Sequence, residues 1–286
     1  MKSLICVVLI ISTAVCLFSE IVYFNGETAE NHYELHMFNS LTGVATCLTD
    51  LNGFISGFDF SVSSDKIYFG LLSTDKNGLY ELVLKTGEIN PVLVDGYKNR
   101  QPCVIDEDTL LFVSYRKNRE SLFLLDLKDA EVKPFIVLEG YEFSPVISPN
   151  KQLLAFVRSI DTYEHDGQIY LYNRITGEMS NLSGKSTGDY SPSFSPDSQM
   201  IIFSSYRERG QQAIFEMNIE KGSVRKVTPF FGTTDRFPVY DQSGEWVYFT
   251  TLKHKYQLAR MKRDGSDREI FNVFTNDLNI GTIIIQ

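Results

Sequence analysis

SPSFSPDSQMIIFSSYRERGQQAIFEMNIEKGSVRKVT, residues 191–228, holds four short apolar runs separated by turn residues. SPSFS is built on Pro192, MIIFSS carries Phe203, AIFEMN follows a polar loop, and residues 224–228 follow the turn NIEKG. Runs this short, rich in β-branched and aromatic residues and bounded by Gly, Pro, Asn and Ser, are strands. Gly222 supplies the positive φ that a tight hairpin needs. The stretch therefore reads as one four-stranded antiparallel unit.

The same unit recurs outward in both directions. KIYFGL, TLLFVS, LLAFVR, MIIFSS and WVYFTT place Phe69, Phe112, Phe156, Phe203 and Phe249 at one phase, and EIVYFN adds Tyr23. The intervals are 46, 43, 44, 47 and 46 residues. First strands are anchored at Gly57, Pro102, Pro145, Pro192 and Pro238, and glycines at 43, 87, 177, 222 and 265 close the third-to-fourth turns. A repeat of roughly 40–50 residues with four strands each is the signature of propeller blades. The periodic Phe residues and Trp246 are read as core. The fold expected is all-β, a six-bladed β-propeller of four-stranded blades over residues 20–286. The first unit lacks its innermost strand. Residues 280–285 supply it, with Gly281 in phase 43 residues after Pro238. The C-terminal strand then completes the first blade and closes the ring, which removes free edges between blades.

Residues 1–19 precede the repeat. Lys2 is followed by an apolar stretch from Leu4 to Phe18. That is shorter than the roughly 20 residues of a spanning helix and suits a signal peptide, or an N-terminal membrane anchor if it is retained. Thr13-Ala14-Val15-Cys16 offers a lipidation site at Cys16. Export to the periplasm or cell exterior is expected, with membrane contact only through this segment. Of the body cysteines, Cys47 and Cys103 fall at different phases, and both are expected as unpaired buried thiols. The net charge of -9 argues against nucleic acid, which requires clustered Lys and Arg to displace counterions.

Ser195-Pro196-Asp197-Ser198, then a strand carrying Phe203, an Arg-bearing loop, a second apolar strand and closing Val227-Thr228, resembles the WD40-like repeat of TolB-like propellers. Ser148-Pro149-Asn150 and Asp241-Gln242-Ser243-Gly244 are further copies, and the repeat phase spans residues 20–286. The family resemblance implies a β-propeller of bacterial envelopes. TolB-like proteins carry an N-terminal α/β domain before the propeller, whereas here the repeat follows the leader directly.

Loops joining fourth to first strands, and second to third, share one face of a propeller, and function concentrates in loops on a rigid scaffold. The first set holds Asn99-Arg100, Glu142-Phe143, Asp189-Tyr190 and Asp235-Arg236. The second holds Tyr115-Arg116, Arg119, Arg158, Tyr206-Arg207, Arg209, Lys253 and His254. Arg and Tyr are the residue types enriched at binding hot spots, and guanidinium presents a planar fork to carboxylates. These Arg side chains can equally pair with the neighbouring acids and fix the loops. Glu142, Asp189 and Asp235 at one phase offer oxygen ligands for a Ca²⁺ in the channel, although no cofactor is required. There is no G-x-S-x-G elbow and no H-E-x-x-H zinc motif among His32, His36, His165 and His254. The expected function is non-enzymatic: a monomeric scaffold binding an envelope protein, peptide or cell-wall component on the loop face. The alternative is a small-molecule hydrolase or lyase at the channel mouth, with a divalent metal.

Overall fold

The computed structural model describes residues 20–29, 32–160, 166–184, 188–207, 211–229, 232–252, 256–271, 273 and 280–285. The leader therefore lies outside the described residues. Among the described residues all regular structure is β, and no helix is long and apolar enough to cross a membrane.

Five sheets follow the chain in order. The first joins β1 (Ile21–Ala29), β2 (His32–Asn39) and β3 (Val44–Cys47). A single parallel bridge, Tyr33 to Phe54, links it to β4 (Phe54–Ser61), β5 (Lys66–Leu72), β6 (Gly78–Val83) and β7 (Glu88–Leu93). The next has β8 (Lys98–Val104), β9 (Thr109–Arg116), β10 (Arg119–Asp126) and β11 (Val132–Ile136). Then come β12 (Tyr141–Ile147), β13 (Leu153–Ser159), β14 (Gln168–Asn173) and β15 (Met179–Asn181). A further quartet is β16 (Asp189–Phe194), β17 (Met200–Ser205), β18 (Ala213–Asn218) and β19 (Val224–Lys226). The last is β20 (Thr234–Tyr240), β21 (Trp246–Leu252), β22 (Tyr256–Lys262) and β23 (Glu269–Phe271). Finally β24 (Ile280–Ile285) returns to pair antiparallel with β1. We refer to the six strand groups, β24 with β1–β3 first, as units one to six.

Each sheet is apolar on both faces, so each must be covered on both sides. The in-phase Phe of every unit packs towards the preceding unit. Phe69 lies with Tyr23 and Leu35, Phe112 with Tyr68 and Leu79, and Phe156 with Leu111 and Leu122. Phe203 lies with Ala155 and Ile169, and Phe249 with Ile202 and Ile214. In unit one this role falls to Phe24, packed with Tyr248 and Leu258 of unit six, and not to Tyr23. The phase expected for Tyr23 is thus off by one residue, because Tyr23 points the other way into unit two. Trp246 is half-buried at the rim, with the Arg260 guanidinium 4.6 Å over its ring.

Inner strands share a bulge. Gly57, Gln101, Ser144, Ser191 and Phe237 all have positive φ, each at a break in register with the second strand. Only one of the five is Gly, and there an added Cβ would lie 2.9 Å from the Gln101 Cγ. The anchor Pro follows the bulge directly, where the missing N–H breaks no ladder bond. The residue in phase with the prolines is consequently Phe58, not Gly57. At the C-terminus it is Ile283, opposite Phe24, and not Gly281.

Two repeat features acquire a physical cause. Ser195 Oγ donates to Asp197 Oδ1 (2.6 Å) and accepts the Met200 N–H (2.9 Å), while Ser198 takes φ 62° where the family pattern has Gly. The closing hydroxyls Thr49, Ser183 and Thr228 accept third-strand N–H groups of Leu35, Ile169 and Ile214 at 2.8–2.9 Å, beyond the reach of the short fourth strands. Cys103 is buried as expected, but Cys47 is exposed on edge strand β3, whose outer side no strand covers.

Inner strands β4, β8, β12, β16, β20 and β24 together line one cavity of about 330 Å³. Phe58, Pro102, Pro145, Pro192, Pro238 and Ile283 form an apolar collar in it. Deleting residues 280–286 would uncover Phe24 and Tyr248 and remove buried Ile280 and Ile283. Burial of each Ile is worth about 1.5–3 kcal/mol. The truncated protein should melt at least ~8 °C lower in calorimetry; an unchanged melting temperature would contradict the packing described.

Candidate functional site

The loop pairs before each anchor Pro were expected to ring the channel mouth with acids. Register shows what occupies that phase: Ile280, Ile55, Asn99, Glu142, Asp189 and Asp235, each opposite the residue two beyond its in-phase Phe. Two of six are Ile. Asn99, Glu142 and Asp189 are 0 % exposed and Asp235 2 %, and none lines the cavity. They face into their own sheets.

Three of the four polar members make the same construction. Ser114 Oγ donates to Asn99 Oδ1 (2.6 Å), Asn99 Nδ2 donates to Asp95 Oδ1 (2.7 Å), and Arg116 pairs with Asp95. Ser205 Oγ donates to Asp189 Oδ1 (2.5 Å), and Arg207 closes on Oδ2 (2.5 Å). Arg268 binds Asp235 in a fork at 3.0 and 3.1 Å, with Thr251 Oγ1 at 2.7 Å. The cations then lie over aromatic rings: Arg116 over Tyr97 (4.2 Å), Arg207 over Phe203 (5.0 Å) and Arg268 over Phe249 (4.8 Å). A buried carboxylate held this way is stabilised only while its partner remains. Arg100 of β8 pairs with buried Glu120 of β10, across the intervening β9.

Glu142 breaks the series. Arg158 occupies the position of Ser114, Ser205 and Thr251, so the hydroxyl is missing. The Ser121 hydroxyl lies beside the Glu142 carboxyl, but no hydrogen bond of good geometry forms at either group. Burial pushes the carboxyl up to about 7, against the opposing pull of the Ser121 hydroxyl and the Arg119 and Arg158 guanidiniums. Those guanidiniums donate elsewhere: Arg119 to the Leu138 carbonyl (2.9 Å), Arg158 to the Glu139 carbonyl (2.9 and 3.0 Å).

A second group of candidates does converge. Phe143 stacks on Tyr190, Tyr190 meets Tyr206 edge-on at 6.3 Å, and Arg236 donates to the Tyr206 hydroxyl (3.2 Å) while lying over Tyr256. This ridge crosses units four to six. Tyr115 is 42 % exposed and Tyr97 45 %. Arg209, Lys253, His254 and His165 lie outside the described residues. The three acids considered for Ca²⁺ sit on separate sheets, and among the described residues no three His, Cys, Asp or Glu gather to hold a metal. Sequence reasoning missed Asp95, Glu120 and Arg268. The hydroxyls at Ser114, Ser205 and Thr251 were legible as a period, but Arg268 reaches in from before β23 at a different phase.

The model of the TolB beta propeller domain matches residues 103–279. The chain belongs to the TolB β-propeller family. A "Protein TolB homolog" of Chlamydia caviae is 33% identical over 117 residues, 36% of this chain and 26% of that protein. A "Tol-Pal system protein TolB" of Francisella tularensis is 28% identical over 267 residues, 76% of this chain and 58% of that protein. The chain thus spans little more than half the length of even the second relative. The crystal structure of TolB from Acinetobacter baumannii superposes with a TM-score of 0.79 at 18% identity, over 93% of this chain and 66% of that one, which supports the fold.

Arg207→Ala leaves Asp189 buried without its cation and should lower stability by about 3 kcal/mol in urea unfolding. Arg158→Ala, which removes bonds to an exposed loop carbonyl and to the Tyr170 hydroxyl but no ion pair among the described residues, should cost under ~1 kcal/mol; equal losses would refute this division. Glu142 gives a signed pH effect. Its unfolded value is the ordinary 4.5 and its folded value about 7, so between these the folded chain binds more protons. Stability therefore falls as pH rises through that window. Glu142→Gln should flatten the fall, and melting curves from pH 5 to 8 that superpose for both proteins would contradict it.

Proposed function

We propose that this chain is an exported, non-enzymatic docking module of the cell envelope, which binds a protein, peptide or cell-wall component on its loop face. In this reading residues 1–19 are the signal peptide or anchor, and residues 20–286 are a six-bladed propeller closed by β24, operating in the periplasm without a cofactor. Membership of the TolB propeller family and the Tol-Pal assignment of a relative support the envelope setting. The observation that carries the binding role is the division of the loop face. Asp189 and Asp235 are buried in structural pairs and Glu142 is buried without one, while Tyr97 and Tyr115 stand exposed beside the Arg116 guanidinium. Exposed aromatics held by a rigid cation are hot-spot material. His36 is stacked on Phe24 and burial lowers it to about 4.

Tyr97→Ala/Tyr115→Ala should abolish capture of an envelope partner by the tagged full chain while leaving its melting temperature unchanged. Lys85→Ala in the β6–β7 turn, on the opposite face, should leave capture intact. If capture survives the tyrosine pair, the face is wrongly assigned.

A further inference from the structure

Arginines on the loop face are matched with carboxylates in most places: Arg100 with Glu120, Arg116 with Asp95, Arg207 with Asp189, Arg268 with Asp235. Arg236 is held by the Tyr206 hydroxyl and the Tyr256 ring. Arg119 and Arg158 differ, and they lie together. Their guanidiniums donate to consecutive carbonyls, Leu138 and Glu139, of the loop between β11 and β12. Arg158 also donates to the Tyr170 hydroxyl (3.3 Å), and among the described residues neither arginine forms a carboxylate salt bridge. Glu142, whose carboxyl lies within the field of both guanidiniums, is fully buried and displaced towards its neutral form. A protein of net charge -9 therefore places two guanidiniums side by side along the seam where units three and four meet, with exposed Glu139 and the Asp166 carboxylate, bound to the Ile160 N–H at 2.8 Å, at the edge of the pair.

The seam also has apolar shoulders. Val137 is 52 % exposed and Ile160 62 %; the first immediately precedes Leu138, the second lies two residues beyond Arg158. Lys98 and Lys117, both exposed and without a salt bridge among the described residues, extend the positive field along β8 and the β9–β10 turn. Main-chain carbonyls hold each guanidinium in place without neutralising it, so its free donors keep full charge for an incoming anion.

We propose that the Arg119–Arg158 seam is the specificity element of the docking face, and that it takes a carboxylate-bearing, acidic segment of a partner protein flanked by apolar side chains. This rests on the loop face being the docking face. Charge complementarity selects the acid, and Val137 and Ile160 select a segment over a free small anion. Steering by such a seam raises the on-rate and falls with ionic strength.

The test uses the full chain and a random Glu/Tyr copolymer as probe, with a random Lys/Tyr copolymer as control. Wild type should bind the acidic copolymer and not the basic one. Arg119→Gln/Arg158→Gln should weaken binding about tenfold, as expected of two partly exposed charge contacts. Lys128→Gln/Lys221→Gln, which removes the same charge from the opposite face, should bind as wild type. If the glutamine pair melts lower, Arg119→Lys/Arg158→Lys is read instead; retained charge without the guanidinium fork should weaken binding about threefold. The proposal falls if wild type ignores the acidic copolymer, if both glutamine pairs lose equally, or if inorganic phosphate displaces the copolymer where free glutamate does not. The two readings separate cleanly. Partner capture kept by the Arg119/Arg158 variant but lost by the Tyr97/Tyr115 variant overturns the seam alone, whereas capture kept by both overturns the docking face.

Discussion

The packing of each second-strand Phe onto the preceding sheet is the contact on which everything else in this protein depends. A four-stranded sheet with two apolar faces cannot exist alone in water, since each uncovered face exposes several large side chains at about 25 cal/mol per Å². Covering both faces of every sheet requires each unit to have a neighbour on either side. Phe24 against Tyr248 meets that requirement between the first and last units, and the pairing of β24 with β1 gives it a hydrogen-bonded frame.

That frame dictates what the loop face can present. Inner strands must bend to converge on a common cavity, and the bulge at Gly57, Gln101, Ser144, Ser191 and Phe237 accommodates the bend. It separates two kinds of residue only a few positions apart. Before the bulge lie Asn99, Asp189 and Asp235, buried in hydroxyl and guanidinium partners. After it comes the apolar collar of the cavity. Neither group leaves an acid free at the channel mouth, so the polar chemistry of this face resides in its arginines and tyrosines.

Unit four shows how one substitution alters a repeated device. Arg158 in place of a hydroxyl deprives Glu142 of its partner, and the carboxyl responds to burial by moving towards neutrality. Arg119 and Arg158 are left to carbonyls of the intervening loop. A structural triad in other units becomes, here, a pair of guanidiniums left to main-chain carbonyls.

Fold class, strand number and repeat phase were legible in the sequence because side-chain periodicity reports directly on which residues must leave water. The assignment of β24 to the first unit was legible for the same reason. Exact register was not: Tyr23, Gly57 and Gly281 each missed their phase by one or two residues. A bulge inserts a residue without changing composition, and adjacent aromatics on one strand face opposite neighbours. The candidate residues were legible as loop positions, but their hydrogen-bond and ion-pair partners were not. Whether an arginine is matched by Glu120, Asp95, Asp189 or Asp235, or left to a carbonyl as Arg119 and Arg158 are, depends on partners from other strands and other units. Which positions are core and which are loop can be read from the chain alone, since hydrophobic period is a local property. Which charges cancel follows from the fold, because charge pairing is a matter of distance between residues that the chain keeps far apart.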